Sequence, residues 1–331
     1  MNIKKIGLTA LAGSLVATSA MAGEMSISGG AKISYHSKSG SVATTDVSSG
    51  FGMDQEMTAS GSAELDNGYT VSVSHGLATG GSGSDTSELT LDMGDMGSIS
   101  YNDTDGHYGL AGLEDKMPTA YEDALDGLGG SDATSTANAA KMASGQGFGY
   151  NTTVNGLNIS IGWSDGIGAT TNRSDGGQDT TVASTNSSSS VALTYSAEDL
   201  GLTVFGGTGS EGQADGKELD HTTIGATYAY GPVTVGYQTN SETDSDSTAS
   251  NTDFDTTIYS VAFNVNDNLS LSYGEHSTEK EGTTLDQDAE AFNISYSMGG
   301  MSINIKDNEM SNVGNAAGTQ EATEVLVVFA F

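Results

Sequence analysis

Carboxylates are the side chains of this sequence best suited to chemistry, and one group of them lies in the stretch between Asn102 and Gly147. Within it, Asp103-Thr104-Asp105-Gly106 matches part of a calcium-binding loop, in which alternate side chains supply oxygen ligands. The distal glutamate of an EF-hand is missing, and the pattern leaves only a structural Ca²⁺ between acidic loops open. The other acids of the stretch that we single out are Glu114, Asp115, Glu122, Asp123 and Asp126.

No residue pattern typical of an enzyme accompanies these acids. The chain has no cysteine, which excludes disulfides, thiolate metal sites and cysteine nucleophiles. His75 could pair with a serine, but serine is too common here to be informative and no nucleophile motif is present. We therefore expect no catalytic activity, no metal site built on histidine and no cofactor. The histidines are scattered without metal-ligand spacing, at positions 36, 75, 107, 221 and 276.

Net charge limits the classes of partner. The 331 residues include 43 Asp+Glu and only 10 Lys+Arg, for a formal charge of −33. Nucleic-acid binding needs a basic patch to neutralise phosphates, so we exclude it. High charge with only 35% hydrophobic residues would suit a disordered chain. The apolar residues alternate with polar ones in strand-length runs, however, and this pattern predicts an ordered sheet.

The first 22 residues have the pattern of a secretory signal peptide. Two lysines precede an apolar stretch at residues 6–17, and Ala20-Met21-Ala22 fits a cleavage site. A membrane anchor is the alternative, but the apolar stretch is shorter than the roughly 20 residues that a spanning helix needs. We expect export through the general secretory pathway and one folded unit over residues 23–331.

Alternation of apolar and polar residues predicts strands along the whole of this unit. The first run consists of Met25, Ile27, Gly29, Ala31, Ile33 and Tyr35. The pattern yields sixteen strands, and every second connection is a tight turn such as Asn155-Gly156. Short and long connections in alternation are typical of an up-and-down barrel, with turns at one rim and loops at the other.

The two faces of these strands decide which side of the barrel is polar. A ring of sixteen strands encloses more volume than its side chains can fill, so its interior holds water. The polar face then points inward and the apolar face points to lipid, where the backbone must be fully paired within a closed sheet. Tyrosines near both strand ends fit two interfacial bands, although tyrosine is also favoured in strands generally. The predicted fold is all-β: a 16-stranded antiparallel up-and-down transmembrane β-barrel.

With these features the chain resembles the general diffusion porins of Gram-negative outer membranes, most closely the alphaproteobacterial type. Its last strand looks like the C-terminal assembly signal of outer-membrane barrels, without the glycine often found early in that signal; it carries Val325, Val327, Phe329 and Phe331. The resemblance implies a homotrimer in a lipid bilayer with lipopolysaccharide, folded by the barrel assembly machinery. It also implies a water-filled pore for ions and small hydrophilic solutes, narrowed by an inward-folded third loop.

The third long connection runs from about residue 102 to residue 147, the longest in the chain. Its apolar residues predict a short helix that begins near Pro118, because they lie at helical spacing: Met117, Ala120, Tyr121, Ala124, Leu125 and Leu128. A second, alanine-rich helix is predicted at residues 137–143. If this is the constriction loop, its acids line the narrow part of the pore: Asp103, Asp105, Glu114, Asp115, Glu122, Asp123 and Asp126. A solvated acidic surface loop is the alternative.

The inner wall departs from the family's usual arrangement, in which a cluster of arginines faces the acidic loop. The only arginine is Arg173, which lies in a long loop. Alternation places Lys32 and Lys306, with His36, on the inner face of the first and fifteenth strands, which become near neighbours when the barrel closes, so we expect these bases to form a thin basic wall. More acids than bases share that face, namely Glu56, Glu64, Glu88 and Asp92. Because acidic rings favour cations, the sequence predicts a cation-selective pore.

Two other functions stay open at this point. An exported, acidic, β-rich structural or adhesive surface protein would explain the low hydrophobicity and the polar loops. It would not explain the terminal Phe331 or the sixteen-strand rhythm. A substrate-selective porin would need aromatic or ionic tracks inside the pore, and inward aromatics are nearly absent from the pattern. A general diffusion pore is therefore the preferred interpretation.

Overall fold

The computed structural model describes residues 25–41, 49–78, 84–102, 108–126, 128, 147–164, 187–212, 218–244 and 253–331. Sixteen antiparallel strands follow one another around a ring, and the last strand pairs with the first to close it. The predicted all-β barrel and its strand number are confirmed. The predicted signal peptide, with Ala20 and Ala22, and the predicted helix at residues 137–143 lie outside the described residues.

The strands are numbered in chain order and fall into two halves. The first half consists of β1 (Met25–Gly40), β2 (Ser49–Glu64), β3 (Thr70–Ala78), β4 (Ser84–Asp92), β5 (Ser98–Asn102), β6 (Gly147–Val154), β7 (Leu157–Ser164) and β8 (Ser188–Ala197). The second half consists of β9 (Leu202–Gly212), β10 (Glu218–Tyr230), β11 (Val233–Asp244), β12 (Phe254–Asn266), β13 (Leu269–Lys280), β14 (Gln287–Met298), β15 (Met301–Ser311) and β16 (Thr319–Ala330).

The register separates an outer apolar face from an inner polar one. Ile33 of β1 lies opposite Met53 of β2 and Val327 of β16, whereas the neighbouring Lys32 lies opposite Asp54 and Val328. Opposed residues point to the same side of a sheet, and the side changes at every residue. The apolar set is the outer one, since large side chains on it are widely exposed; Met25 is 75% and Phe51 84% exposed.

The two rims differ as the sequence predicts. At one rim, two-residue turns such as Asn155-Gly156 join the strands, and both residues have positive φ (52° and 81°), as a type I′ hairpin turn requires. At the other rim the connections include the long segment after β5. Helical structure among the described residues is confined to short 3₁₀ turns, and none of them has the length and apolarity to cross a bilayer.

The C-terminal strand completes the ring. The backbones of Phe331 and Gly29 exchange two hydrogen bonds of 2.9 Å. Val325, Val327 and Phe329 lie on the outer face of β16, and each faces an outward residue of β1. The structure thus places all four residues of the predicted assembly signal along the seam of the barrel; their recognition during assembly stays a prediction.

The helix predicted near Pro118 is wrong in position. A 3₁₀ helix spans Gly109–Lys116 instead, and Met117 is extended (φ −74°, ψ 137°). A residue before proline is driven out of the helical region by the proline ring, so the helix ends where the sequence pattern has it begin. The apolar spacing after Pro118 has another cause, because Ala124, Leu125 and Leu128 pack against the inner wall without forming a helix.

Candidate pore constriction

One segment, residues 108–126 together with Leu128, lies inside the barrel; we refer to it as the inner segment. Near its start, the Leu110 N–H donates to Ser190 Oγ of β8 at 3.0 Å. Further along, the Tyr121 hydroxyl donates to Glu324 of β16 at 3.3 Å. These acceptors belong to the polar face, and β8 and β16 lie half a turn apart in the ring. Only a segment within the lumen can reach both.

Glycines on the inner face of the strands form the seat of this segment. A Cβ added to Gly149 would lie 1.9 Å from Cγ of Tyr108, and one added to Gly236 would lie 2.4 Å from Cδ of Pro118. Any side chain at these positions would collide with the inner segment. Glycine within a strand often marks such a close approach of another backbone.

Three polar side chains of β14 and β15 hold the second half of the inner segment. Asn293 Nδ2 donates to the Glu122 carbonyl at 2.9 Å, and Asn308 Nδ2 donates to the carbonyls of Ala124 and Asp126 at 3.0 and 2.9 Å. Between them, Lys306 Nζ donates to Glu122 Oε2 at 2.5 Å. Lys306 is only 1% exposed. The predicted pore-wall lysine is therefore a fixed anchor of the segment.

The predicted constriction acids have different environments. Asp123 Oδ1 accepts hydrogen bonds from the N–H groups of Leu125 and Asp126 at 2.8 and 3.3 Å, so it stabilises a turn of the backbone. Glu122 pairs with Lys306, and Glu114 is exposed. Asp103, Asp105 and the side chain of Asp115 lie outside the described residues, and so does the calcium-loop pattern. The structure brings Glu122, Asp123 and Asp126 together within the lumen.

Asp126 has the most perturbed titration in this group. Its burial, and next the nearby charge of Asp123, raise its pKa to about 7, although the Lys306 ammonium opposes the shift. Its carboxyl is therefore charged above about pH 7 and neutral below. The negative charge of the constriction thus depends on pH near neutrality.

This shift predicts a pH-dependent selectivity. Lowering the pH from about 8 to about 6 protonates Asp126, whose ordinary pKa near 4 would leave it charged throughout. We expect the zero-current potential in a KCl gradient to shift in the direction of anion selectivity over this range. Asp126→Asn should remove the response, whereas Asp95→Asn at the short-turn rim should retain it. An unchanged response in Asp126→Asn would contradict the assignment.

The wall residues predicted from the alternation all lie on the inner face, but they do not form a basic wall. Lys32 is ion-paired with Glu56. His36 lies opposite Glu324, which in turn lies opposite Lys306, so an acid separates the two bases. Glu88, at the other side, accepts a hydrogen bond from the Tyr108 hydroxyl of the inner segment.

The last two predicted acids lie toward the short-turn rim. Glu64 and Asp92 share one row of the ladder, on either side of Thr70. Asp92 Oδ1 also accepts a hydrogen bond from the Gly94 N–H at 2.8 Å, which ties it to the turn after β4. Both carboxylates therefore extend the acidic inner face below the level of the inner segment.

Several charged residues of the inner face escaped the sequence analysis. Glu324 lies on the inner face of the assembly-signal strand, and Asp54 lies opposite Lys32. Lys38 and Lys280 lie on the inner face at the long-loop ends of β1 and β13. Each would have been found by extending the alternation of its strand by a few residues. Among the residues that the structure describes, no three His, Asp or Glu side chains are placed to share a metal ion.

Comparison with known proteins agrees with this architecture. The sequence profile of the Gram-negative porins matches residues 7–321. The chain belongs to the Gram-negative porin family. It is accordingly an outer-membrane protein that forms a diffusion channel, and the inner segment lies within the lumen of that channel. A comparison with curated protein sequences finds no significant match.

Solved porins share the fold of this porin at low sequence identity. The anion-selective porin from Comamonas acidovorans superposes with a TM-score of 0.66 at 12% identity, over 93% of this chain and 99% of that one. A mutant porin from Rh. blastica superposes with a TM-score of 0.60 at 15% identity, over 93% of this chain and 100% of that one. OmpT of Vibrio cholerae, in a trimer form, superposes with a TM-score of 0.63 at 11% identity, over 94% of this chain and 100% of that one. Such identities establish a common barrel and leave its selectivity to the individual side chains.

Proposed function

We propose that this porin conducts cations in preference to anions. The observation that carries the proposal is the pairing of the two lysines predicted to form a basic wall. Lys306 is buried against Glu122, and Lys32 is bound to Glu56. Because each of these two lysines is neutralised by its own acid, the balance of the remaining charges, among which carboxylates predominate, sets the sign of the field that a permeating ion meets.

The described carboxylates of the inner face outnumber its ammonium groups. The acids on the strands are Asp54, Glu56, Glu64, Glu88, Asp92, Glu211, Glu242, Asp244 and Glu324. The lysines are Lys32, Lys38, Lys280 and Lys306. The inner segment adds the acids Glu114, Glu122, Asp123 and Asp126 and one further lysine, Lys116. The Comamonas porin, which is anion-selective, shares the barrel; the charges of this lumen, and not the fold, support the opposite preference.

The zero-current potential across a planar bilayer in a KCl gradient tests this proposal. We expect the sign of a cation-selective pore in the native protein. The double variant Glu64→Gln and Glu324→Gln should move the potential toward zero, because it removes two inner charges. The matched control, Glu290→Gln with Glu309→Gln, removes two charges from the outer face and should leave the potential unchanged. A native potential of the anion-selective sign would overturn the proposal.

We further propose the surroundings in which the channel works. A homotrimer is supported by the trimer form in which the OmpT neighbour is described. The exposed outer band of apolar residues suits contact with lipid, and lipopolysaccharide would cover the long-loop rim. We propose that the chain is exported through the general secretory pathway and folded by the barrel assembly machinery. We also propose that solutes pass by passive diffusion, without a cofactor or a catalytic step. Crosslinking of the purified protein should give a three-subunit product.

A further inference from the structure

The inner wall of β1–β5 carries two neighbouring rows of hydroxyl groups, which we call the hydroxyl wall. The upper row runs through residues opposite one another on successive strands: Ser26, Ser60, Ser74 and the carboxylate of Glu88. The lower row is one ladder step closer to the short-turn rim and consists of Ser62, Ser72, Thr90 and Ser100. Both rows lie on the polar face.

These side chains form a concave surface with a defined volume. Ser26 and Ser60 hydroxyls are 2.8 Å apart, and the Thr90 hydroxyl lies 2.8 Å from Ser100 and donates to Glu88 at 3.2 Å. Seven of these eight residues, all except Ser100, line a cavity of about 370 Å³ that opens to the lumen. Tyr108 of the inner segment donates to Glu88, so the cavity lies beside the constriction.

The chemistry of this cavity selects for a cation with hydrogen-bond donors. Its described lining residues carry serine and threonine hydroxyls and a carboxylate, and they include no lysine, arginine or amide side chain. A hydroxyl can accept or donate a hydrogen bond, whereas a carboxylate only accepts. A group bound at Glu88 therefore donates a hydrogen bond and is stabilised by a positive charge, and an ammonium group meets both conditions.

The spacing of the rows selects for an organic cation over a metal ion. Side chains two residues apart on one face of a strand are separated by roughly 7 Å. The rows come within hydrogen-bond distance of each other at Glu88 and Thr90, but Ca²⁺ takes six to eight oxygens at about 2.3–2.6 Å, and hydroxyls that are roughly 7 Å apart cannot all reach one ion. An ammonium group at Glu88 joined by a short chain to a second polar group can span them. No aromatic side chain lines the described cavity to bind an apolar body.

We infer that the hydroxyl wall is a subsite for small organic cations that carry an ammonium group and a second hydrogen-bonding group. Solutes of this class pass the constriction along β2–β4, exchanging water for hydroxyl groups and the Glu88 carboxylate. The inference rests on the proposed cation preference and deepens it by naming a solute class. It assigns a role in specificity to Ser74, which lies opposite Glu88, and to Ser60, which is the next residue in the upper row.

Bi-ionic potentials with ethanolammonium chloride on one side of a planar bilayer and KCl on the other test the inference. In the native porin we expect ethanolammonium to be more permeant, relative to K⁺, than ethylammonium, which lacks the second polar group. The variant Ser60→Ala with Ser74→Ala should lower the ethanolammonium/K⁺ permeability ratio by about threefold or more, since each lost hydrogen bond is worth roughly 0.5–1.5 kcal/mol. The matched control is Ser297→Ala with Ser302→Ala, on the inner face of β14 and β15.

The outcomes separate this inference from the proposed function. Loss of the ethanolammonium preference in Ser60→Ala/Ser74→Ala, with the control unchanged, supports the subsite. An unchanged ratio, or an equal loss in the control, overturns it even when the KCl gradient shows cation preference. Anion preference in the KCl gradient overturns the proposed function itself. Folded mobility on unheated gels shows that each variant has formed its barrel.

Discussion

Replacing Lys306 by methionine is expected to lower the free energy of unfolding by roughly 2 kcal/mol and to strengthen the preference for cations. Removing one partner of a fully buried ion pair costs about 3–5 kcal/mol, because the other charge stays buried without compensation. Glu122 is 37% exposed and keeps part of its hydration, so the cost is smaller here. The loss of one ammonium group also makes the constriction more negative. Urea titration of the folded barrel and the zero-current potential measure the two effects.

Two controls isolate the pair. Lys32→Met breaks an ion pair whose side chains are 35% and 45% exposed, and such pairs contribute no more than about 1 kcal/mol. The double variant Lys306→Met with Glu122→Gln should recover much of the stability, since no unpaired charge remains. Equal destabilisation by Lys306→Met and Lys32→Met would show that the anchor described for Lys306 is absent in the protein.

Replacing Gly236 by valine is expected to dislodge the inner segment. An added Cβ would lie 2.4 Å from Pro118 Cδ and 2.9 Å from Met117 Sδ, and valine adds two further methyl groups. Overpacking of this kind costs roughly 1–3 kcal/mol. Because the collision occurs where the 3₁₀ helix ends, we expect the segment to leave its seat and the open-channel current to become noisy. Single-channel recording and thermal unfolding measure these effects.

The same substitution at Gly50 is the matched control for this prediction. Gly50 lies on the inner face of β2, and an added Cβ there would meet no atom within 4 Å. Valine favours strands and glycine weakens them, so Gly50→Val should be neutral or slightly stabilising. A quiet channel of native stability in Gly236→Val would mean that the inner segment does not rest on β11.

The barrel could be predicted because each strand and each tight turn is specified by neighbouring residues, and the same pattern recurs sixteen times. Each strand shows its two faces by alternation, and each tight turn shows itself by residues such as Asn155-Gly156. The first half of β2 was harder to predict, because Gly50, Gly52 and Gln55 interrupt the pattern there. The structure pairs this half with β1, where Phe51 faces Tyr35. Pairing with β1 along the ladder stabilises a stretch of strand that the local pattern did not indicate.

The inner segment could be predicted only in part, because its conformation depends on a wall built by distant strands. Its acids and apolar residues were identified from the sequence, but the helical spacing after Pro118 arose from contacts with Ala289 and Met310. The position of the inner segment does have a signal in the sequence. Glycines at inward positions of several strands, such as Gly149 and Gly236, mark the track along which it lies.

The charges of the wall show a similar division. Alternation correctly placed Lys32 and Lys306 on the inner face. It could not show that each lysine would bind an acid, since Glu122 belongs to the inner segment and Glu56 to another strand. A basic wall was therefore expected where the structure has two neutralised pairs. Which residues lie opposite one another in a barrel depends on the register between strands. The apolar–polar pattern of a single strand does not contain that register.

The central claim, that the inner segment lies in the path of the permeating ions, is tested most directly by thiol modification. The protein has no cysteine, so a thiol reagent can modify only the single cysteine that is introduced. Thr119 is an exposed residue of the inner segment, and Thr323 lies on the outer face of β16. A bulky cationic thiol reagent should lower the single-channel current stepwise in Thr119→Cys and leave it unchanged in Thr323→Cys. An undiminished current in fully modified Thr119→Cys would place the segment outside the conducting path and contradict the account.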